Sequence, residues 1–159
     1  MVVTFLATKG YSMTLMTTVT VEIVAATTDE VITACHQLIP QLSSSSEPIT
    51  REKLNEIIDG ESTVLFAARS DGEIVGLLTL AVFRIPTGLR AWIEDVVVDE
   101  RARGKGVGDA LNRAALAEAR RRGVKTVDLT SRPSREAANR LYQRIGFIRR
   151  DTNVYRFDL

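Results

Sequence analysis

The most informative stretch of this sequence is VVVDERARGKGVG, residues 96–108. Its three valines are typical of a buried strand, and glycines at alternate positions, Gly104, Gly106 and Gly108, follow them before a run rich in alanine and leucine. Glycine allows a positive φ and a close approach of the backbone to a ligand. The start of the next helix offers unpaired N–H groups and a partial positive charge. Strand, glycine-rich loop and helix start together favour a phosphate site.

The spacing of these glycines narrows the ligand class. G-x-G-x-G differs from the G-x-G-x-x-G of dinucleotide-binding folds, and no Lys-Ser or Lys-Thr follows at P-loop spacing. The sequence pattern also shows no second βαβ half, which a Rossmann domain requires. A glycine-rich loop indicates a phosphate but not the molecule that carries it, so the rest of the chain has to define the ligand.

The segments on either side predict a mixed α/β domain. In chain order they are strand 19–25, helices capped by Thr27 and Thr50, strands 63–69, 73–83 and 90–98, helix 107–122, strand 124–130, a helix capped by Ser134, and strands 147–149 and 153–157. Asp71-Gly72 is a two-residue hairpin signal, which makes the middle strands antiparallel. A helix joins strands 90–98 and 124–130, so that pair is expected to be parallel.

Composition excludes several classes of protein. The 159 residues carry 21 Lys and Arg against 20 Asp and Glu, a balance that predicts no nucleic-acid or membrane partner. Cys35 is the only cysteine and His36 the only histidine, too few ligands for a structural metal site. A lone cysteine favours a reducing, cytoplasmic location. Residues 1–18 are interpreted as a peripheral leader and 19–159 as one domain, compatible with a homodimer.

Two motifs resemble a known family. Arg103-x-x-Gly106-x-Gly108 after a valine-rich strand is similar to the acyl-CoA pyrophosphate loop of GNAT acetyltransferases. Leu141-Tyr142-x-x-x-Gly146-Phe147 resembles the second signature of that family, with one helix and one strand between the motifs. The resemblance implies an α/β (α+β) fold: a mixed, mostly antiparallel sheet of about six to seven strands, four helices, and a parallel strand pair splayed at the cofactor site.

The resemblance also implies how acetyl-CoA would bind. The main chain of Val96, Val97 and Val98 would pair with the pantetheine arm. The loop would hold the pyrophosphate through the backbone amides of Arg103, Gly104, Lys105, Gly106, Val107 and Gly108. The family often has Asn where this chain has Arg135. Asn139 lies one helical turn later, so it is a candidate pantetheine contact, and Arg135 is a candidate CoA-phosphate contact.

Two residues are candidates for acid–base chemistry. Tyr142 matches the family's usual proton donor to the leaving thiolate, although its position on the apolar face of a helix also suits a core role. An alkyl amine is protonated at neutral pH, so acetyl transfer needs a base. Glu94 is the preferred base over its neighbour Asp95, by its parity with Val96 and Val98 along the strand. A bulge would exchange the two.

These observations predict an acetyl-CoA-dependent N-acetyltransferase, with Glu94 as general base, Tyr142 as general acid and no metal. The alternatives are a non-catalytic acyl-CoA-binding sensor of the same fold and an unrelated nucleotide-binding domain. The identity of the amine acceptor is left open, from small amines to a protein amino terminus.

Overall fold

A computed structural model describes residues 3–5, as backbone, and 18–159. Over these residues it contains six strands, four α-helices and a short 3-10 helix, Glu100–Ala102. The strands are β1 (Val3–Phe5), β2 (Val19–Ile23), β3 (Thr63–Ser70), β4 (Glu73–Ile85), β5 (Gly88–Val98) and β6 (Thr126–Leu129). The helices are α1 (Asp29–Leu42), α2 (Arg51–Asp59), α3 (Val107–Arg121) and α4 (Glu136–Ile145).

All six strands form one sheet in the order of the chain, β1-β2-β3-β4-β5-β6. Every neighbouring pair is antiparallel except β5 and β6, which are parallel and connected through α3. The predicted fold class is therefore confirmed: a mixed, mostly antiparallel sheet with one parallel pair and four helices.

Helices cover both faces of the sheet and produce two apolar cores. On one face α3 packs through its alanine-rich side, including Ala110, Leu111 and Ala115, with Leu78 and Leu80 of β4. On the other face α1 and α2 pack with Ala67, Leu77 and Val97. Alternation along each strand assigns successive side chains to these two faces. The face on which a β5 residue lies therefore decides which core or cleft it can reach.

Local signals position the helix starts and the first hairpin. The Thr28 hydroxyl accepts a hydrogen bond from the Val31 amide, 3.2 Å, so α1 begins one residue later than the predicted cap at Thr27 implied. Thr50 caps α2 as predicted. Asp71 and Gly72 have φ values of 52° and 87°, the two positive values that a type I′ hairpin requires.

The C-terminal predictions need correction. Residues 147–149 and 153–157 form no strand, because no strand in the described part of the chain lies beside them to pair with their backbone. Arg135, rather than Ser134, is the N-cap residue of α4, and its side chain makes no capping bond. Within the described residues, no helix is both long and apolar enough to cross a membrane.

The leader contributes one strand to the described structure. Val3–Phe5 pairs with β2 at the edge of the sheet farthest from β6. The remainder of residues 1–17, and the prediction made for it, lies outside the described residues.

Candidate functional site

The parallel pair separates partway along β5. Pairing with β6 runs from Arg90–Thr126 to Ile93–Leu129, whereas β5 continues to Val98. Among the described residues no strand lies on that side of β5 beyond Ile93, so backbone groups at residues 96–98 are left without a strand partner there. Unpaired strand edges accept an extended ligand through main-chain hydrogen bonds. The predicted splay is present.

A β-bulge lies at the point of separation. Leu77 pairs with Val97 and Thr79 pairs with Glu94, so Asp95 and Val96 together lie opposite a single residue of β4. The φ of Asp95 is 50°, in the left-handed region that few residues other than glycine adopt, although Asp is among those that tolerate it. A bulge bends a strand locally and changes which face the following side chains take.

This bulge overturns the parity argument for Glu94. Val96 and Val98, like Ile93, pack in the α3 core, on the face of the sheet that α3 covers. Val97 packs in the α1/α2 core, on the opposite face, which α1 and α2 cover and which is called the α1/α2 face below. Glu94, opposite Thr79, lies on the α1/α2 face and so does not share the face of Val96 and Val98. Glu94 itself is exposed. It is therefore available to a ligand on the α1/α2 face, and its role as a base stays a prediction.

The loop after β5 is organised by an ion pair between a buried aspartate, Asp99, and an exposed arginine, Arg101. Asp99 is only 6% exposed, and its carboxylate accepts hydrogen bonds from the Arg101 guanidinium at 2.8 and 3.1 Å and from the Arg101 amide at 2.9 Å. The hydrogen bonds from Arg101 lower the pKa of Asp99 below its ordinary value. The side-chain oxygen of Gln41, on α1, accepts a hydrogen bond from the Glu100 amide at 3.1 Å, and this bond connects the loop to α1. The sequence pattern did not indicate Asp99 or Gln41. An Asp directly before a short helical turn is the one local signal that could have indicated the first.

The glycines differ in the reason each is needed. Gly104 and Gly106 have φ values of 77° and 83°, and a β-carbon at either would meet nothing within 4 Å, so the requirement is conformational. Gly108 has an ordinary φ, but a β-carbon there would lie 3.1 Å from Cδ2 of Leu141. Gly106 is the N-cap of α3 and makes no side-chain cap bond, which leaves first-turn amides free for an anion.

Charged side chains surround this amide cradle. Lys105 and Arg103 are exposed, and Arg103 lies 3.6 Å from Glu100. Asp109, in the first turn of α3, is held by Arg113 at 2.6 Å and lies 3.8 Å from Arg144. A pyrophosphate fits this set, because open space, free amides and basic side chains coincide at one helix start.

Tyr142 lies on α4, next in sequence to Leu141, whose side chain lies against Gly108. Its ring meets Phe147 edge to face, with centroids 5.9 Å apart at 75°. Burial raises the pKa of Tyr142 above its ordinary value of 10.0, and the positive charge of Arg135 offsets part of that increase. The phenol is therefore protonated at neutral pH, as a proton donor must be. The role of Tyr142 as proton donor stays a prediction.

Arg135, which stands where the family often has Asn, and Asn139 of α4 both make contacts within the protein. The Asn139 amide nitrogen donates to the Arg132 carbonyl at 3.0 Å, so this side chain holds the loop before α4. The Arg135 guanidinium donates to the Leu42 carbonyl at 3.5 Å, at the C-terminal end of α1. Their assignment to pantetheine and phosphate stays a prediction.

Comparison with known proteins identifies the class to which this fold and loop belong. Residues 30–147 match the model of the acetyltransferase (GNAT) family. Since this match spans most of the chain, the protein belongs to the GNAT acetyltransferase family. A comparison with curated protein sequences finds no match.

Solved structures agree with this assignment. A transcriptional regulator from Bacillus halodurans C-125 is 27% identical, with a TM-score of 0.70 over 87% of this chain and 99% of the other. An acetyltransferase from Trypanosoma brucei is also 27% identical, with a TM-score of 0.70 over 89% and 99%. AAC(6')-Iy, solved with the bisubstrate analogue CoA-S-monomethyl-acetylneamine, shares the fold at 15% identity, with a TM-score of 0.73 over 89% and 98%.

Proposed function

We propose that this protein is an acetyl-CoA-dependent N-acetyltransferase that moves an acetyl group directly to a primary amine. One observation carries the proposal: the open edge of β5 at residues 96–98 runs straight into the glycine-rich loop and the free amides of α3. An extended arm and a pyrophosphate can therefore bind side by side on consecutive stretches of backbone. We also propose a cytoplasmic location, since the single cysteine, Cys35, is buried and free.

The proposed reaction requires two proton transfers. The amine nitrogen must lose a proton before or as it forms a bond to the acetyl carbonyl carbon, and Glu94 is the proposed acceptor. The bond from that carbon to sulfur then breaks, and the thiolate takes a proton from Tyr142. The products are the N-acetyl amide and free CoA, while Glu94 and Tyr142 return to their starting states by exchange with solvent.

The bulge gives this scheme a structural reason. It frees the edge at residues 96–98 for the thioester arm while Glu94, before the bulge, stays on the α1/α2 face. Exposed Glu94 and half-buried Trp92 share that face by strand alternation. The acceptor amine is therefore proposed to approach over the α1/α2 face, between α2 and β5, with its nitrogen near Glu94.

The test is thiol release from acetyl-CoA with a panel of primary amines, with each product verified by mass spectrometry. Reactions without amine correct for thioester hydrolysis, and CoA, ATP and NAD are compared as stabilising ligands in thermal melts. Amine-dependent thiol release together with an acetylated product supports the enzyme. Binding of CoA without acetylation of any amine would favour a non-catalytic acyl-CoA-binding sensor. Stronger stabilisation by ATP or NAD than by CoA would contradict both the enzyme and the sensor.

A further inference from the structure

The α1/α2 face of the sheet is covered at one end and open at the other. Helix α1 contacts β4 and β5, α2 contacts β3, and the core that they form lies over Leu77 and Val97. Along β4 toward the hairpin the cover ends, since Thr79 and Ala81 are half-buried and Phe83 is 41% exposed. Among the described residues, the α1/α2 core does not extend to this part of β4. The sheet therefore presents an open surface directly beside that core.

The strand register defines which side chains line this surface. Three pairs from β4 and β5 lie opposite each other: Thr79 with Glu94, Ala81 with Trp92, and Phe83 with Arg90. The alternate residues Leu80 and Val82 of β4 pack in the α3 core, so strand alternation places the three pairs on the α1/α2 face. The four steps from Thr79 to Phe83 cover about 14 Å along the strand. This surface, from Glu94 and Thr79 to Phe83, is called the open strip below.

The β4 side of the open strip is apolar. Phe83 lies exposed on it, and exposed Ile85 continues the same face into the hairpin by strand alternation. Half-buried Trp92 adjoins this side from β5. Arg90 is directed elsewhere, because its guanidinium donates to the Thr126 hydroxyl at 2.6 Å on β6, on the opposite side of β5 from β4. Exposed apolar side chains grouped in this way are typical of a ligand-binding surface.

The end of the open strip at Glu94 is negatively charged. Exposed Glu94 lies there on β5, and half-buried Asp128 of β6 pairs in register with Trp92. Val127 and Leu129, on either side of Asp128, pack against the α3 core, so Asp128 shares the α1/α2 face with Glu94. Two carboxylates on one face are complementary to an alkyl ammonium, the form in which a primary amine arrives at neutral pH. The open strip thus joins a site for a cation to an apolar surface.

The backbone beneath the open strip favours a hydrocarbon over a peptide as the bound group. Strand β4 pairs with β3 on one side and β5 on the other, and β5 also pairs with β6 as far as Ile93. Most of the N–H and C=O groups under the strip are therefore used within the sheet. A peptide lying there would bury its own amides without backbone partners, which costs free energy, whereas a methylene chain carries no such groups.

We propose that the acceptor is an amphipathic primary amine, whose nitrogen lies at Glu94 and whose unbranched apolar body lies over Trp92 and Phe83. This inference rests on the proposed N-acetyltransferase function and adds the class of substrate. Glu94 and Asp128 attract the ammonium, and acetyl transfer then occurs at that nitrogen as in the proposed reaction. Phe83 determines specificity without contact with the reacting atoms, and the enzyme selects amines by the length and the polarity of the body that follows the nitrogen.

A series of unbranched amines tests the class of substrate. From butylamine to octylamine, kcat/KM should rise about twofold for each methylene, because a chain covered on one side gains about half of the free energy of full burial. The diamine with the same chain length as octylamine places a second ammonium on the apolar side, and a trialanine amide buries unpaired amides, so each should have about tenfold lower kcat/KM than octylamine. If either reacts as well as octylamine, or if kcat/KM is independent of chain length, the acceptor class is wrong while the N-acetyltransferase activity stands.

Phe83→Ser tests the apolar side of the open strip separately from the chemistry. Octyltrimethylammonium cannot be acetylated, because its nitrogen carries no proton, so its Kd in the presence of CoA reports on binding alone. Calorimetry below its micelle concentration measures this Kd. Phe83→Ser should weaken this binding, and lower kcat/KM for octylamine, by about three- to eightfold, since 41% of the Phe83 surface is left to be buried by a ligand. Butylamine is too short to reach Phe83 from Glu94, so its kcat/KM should not change.

Ile23→Ser is the matched control for this substitution. Ile23 is 42% exposed but pairs with Phe66 of the α3 core, so it lies on the other face of the sheet. It should leave both the Kd and kcat/KM at their wild-type values, and thermal melts with CoA verify that both variants fold. Equal effects of the two substitutions on the Kd would overturn the proposal. Binding that depends on Phe83, without acetylation of any amine, would support the ligand class and contradict only the proposed enzymatic function.

Discussion

Gly108 and Leu141 join the two motifs of this protein: a β-carbon on Gly108 would lie 3.1 Å from Cδ2 of Leu141. The glycine belongs to the first turn of α3 and the leucine to α4, one residue before Tyr142. A β-carbon on residue 108 would force the end of the Leu141 side chain to move by a few tenths of an ångström, so glycine allows the close approach of α4 to the loop. This contact links the position of the glycine-rich loop to that of Tyr142, the proposed acid.

Gly106→Ala should weaken CoA binding. Alanine at a φ of 83° costs about 1–2 kcal/mol, so the loop should relax and its amides should lose their alignment. CoA at 100 times its Kd should stabilise the wild-type fold by about 2.7 kcal/mol, and most of the resulting increase in Tm should be lost in the variant. Thermal melts with and without CoA measure it.

Gly72→Ala is the matched control, since Gly72 also has a positive φ, 87°, with nothing near its β-carbon, but lies in the β3–β4 hairpin. It should lower the Tm by a similar amount and keep the full CoA effect. An undiminished CoA effect in Gly106→Ala would remove the loop assignment.

Tyr142→Phe should bind acetyl-CoA with nearly the wild-type Kd and turn over about 10²-fold more slowly, the usual contribution of one acid–base group. The ring and its contact with Phe147 are kept while the donor is lost. Because burial raises the pKa of Tyr142, wild-type kcat should not fall until the pH exceeds the ordinary phenol value of 10.0. A wild-type kcat in the variant would assign Tyr142 to core packing.

Glu118→Gln should destabilise the fold in a pH-dependent way. Buried Glu118 accepts hydrogen bonds from Arg121 and Arg122 at 2.7 Å, and these hold its pKa at about 2 instead of 4.5. A carboxylate whose folded pKa is lowered adds stability above the unfolded pKa, and that stability disappears as the pH falls from 4.5 toward 2.

Denaturant unfolding measures this difference. At pH 7 the variant should be less stable by about 1.5–3 kcal/mol, the range for a hydrogen bond to a charged group, and the gap should shrink on acidification toward pH 2. Glu136→Gln is the control, because Glu136 is exposed and pairs with Arg140 at 3.3 Å on a helix surface. If the stability difference between the wild type and Glu118→Gln were the same at every pH, the stabilising role of the ionised Glu118 carboxylate would be contradicted.

Local signals were sufficient for much of this fold. The Asp71-Gly72 turn, the cap at Thr50 and the strand–loop–helix order around residues 96–108 each depend on residues close together in sequence, and each was predicted. The splay and the mixed sheet came from the family resemblance and the parallel crossover.

The predictions were wrong where the local conformation depends on residues that are distant in the sequence. The bulge at Asp95 has no glycine to mark it, so the parity from Glu94 to Val96 looked continuous. The C-terminal strands have the right alternation, but a strand forms only beside a partner, and local pattern says nothing about partners. The sequence did not mark Asp99, because its burial and its ion pair with Arg101 exist only in the folded loop.

Paired substitutions distinguish Glu94 from Asp95 as the proposed base. Glu94→Gln should keep the shape of the site and the affinity for acetyl-CoA, and lower kcat/KM for the amine by about 10²-fold. Raising the pH should partly restore activity, because more of the amine, with a pKa near 10.4 for a lysine-like group, arrives neutral. The wild-type pH profile should show an acidic limb that the variant lacks.

Asp95→Asn is the matched control, since asparagine tolerates the left-handed φ of 50° and preserves the bulge. It should retain wild-type kcat/KM, because the bulge leaves Glu94 in the regular strand opposite Thr79. If Asp95→Asn is the inactive variant and Glu94→Gln is active, the bulge directs Asp95 toward the amine. If neither change matters, the amine loses its proton through other groups, and the rate then depends mainly on positioning acetyl-CoA beside the acceptor.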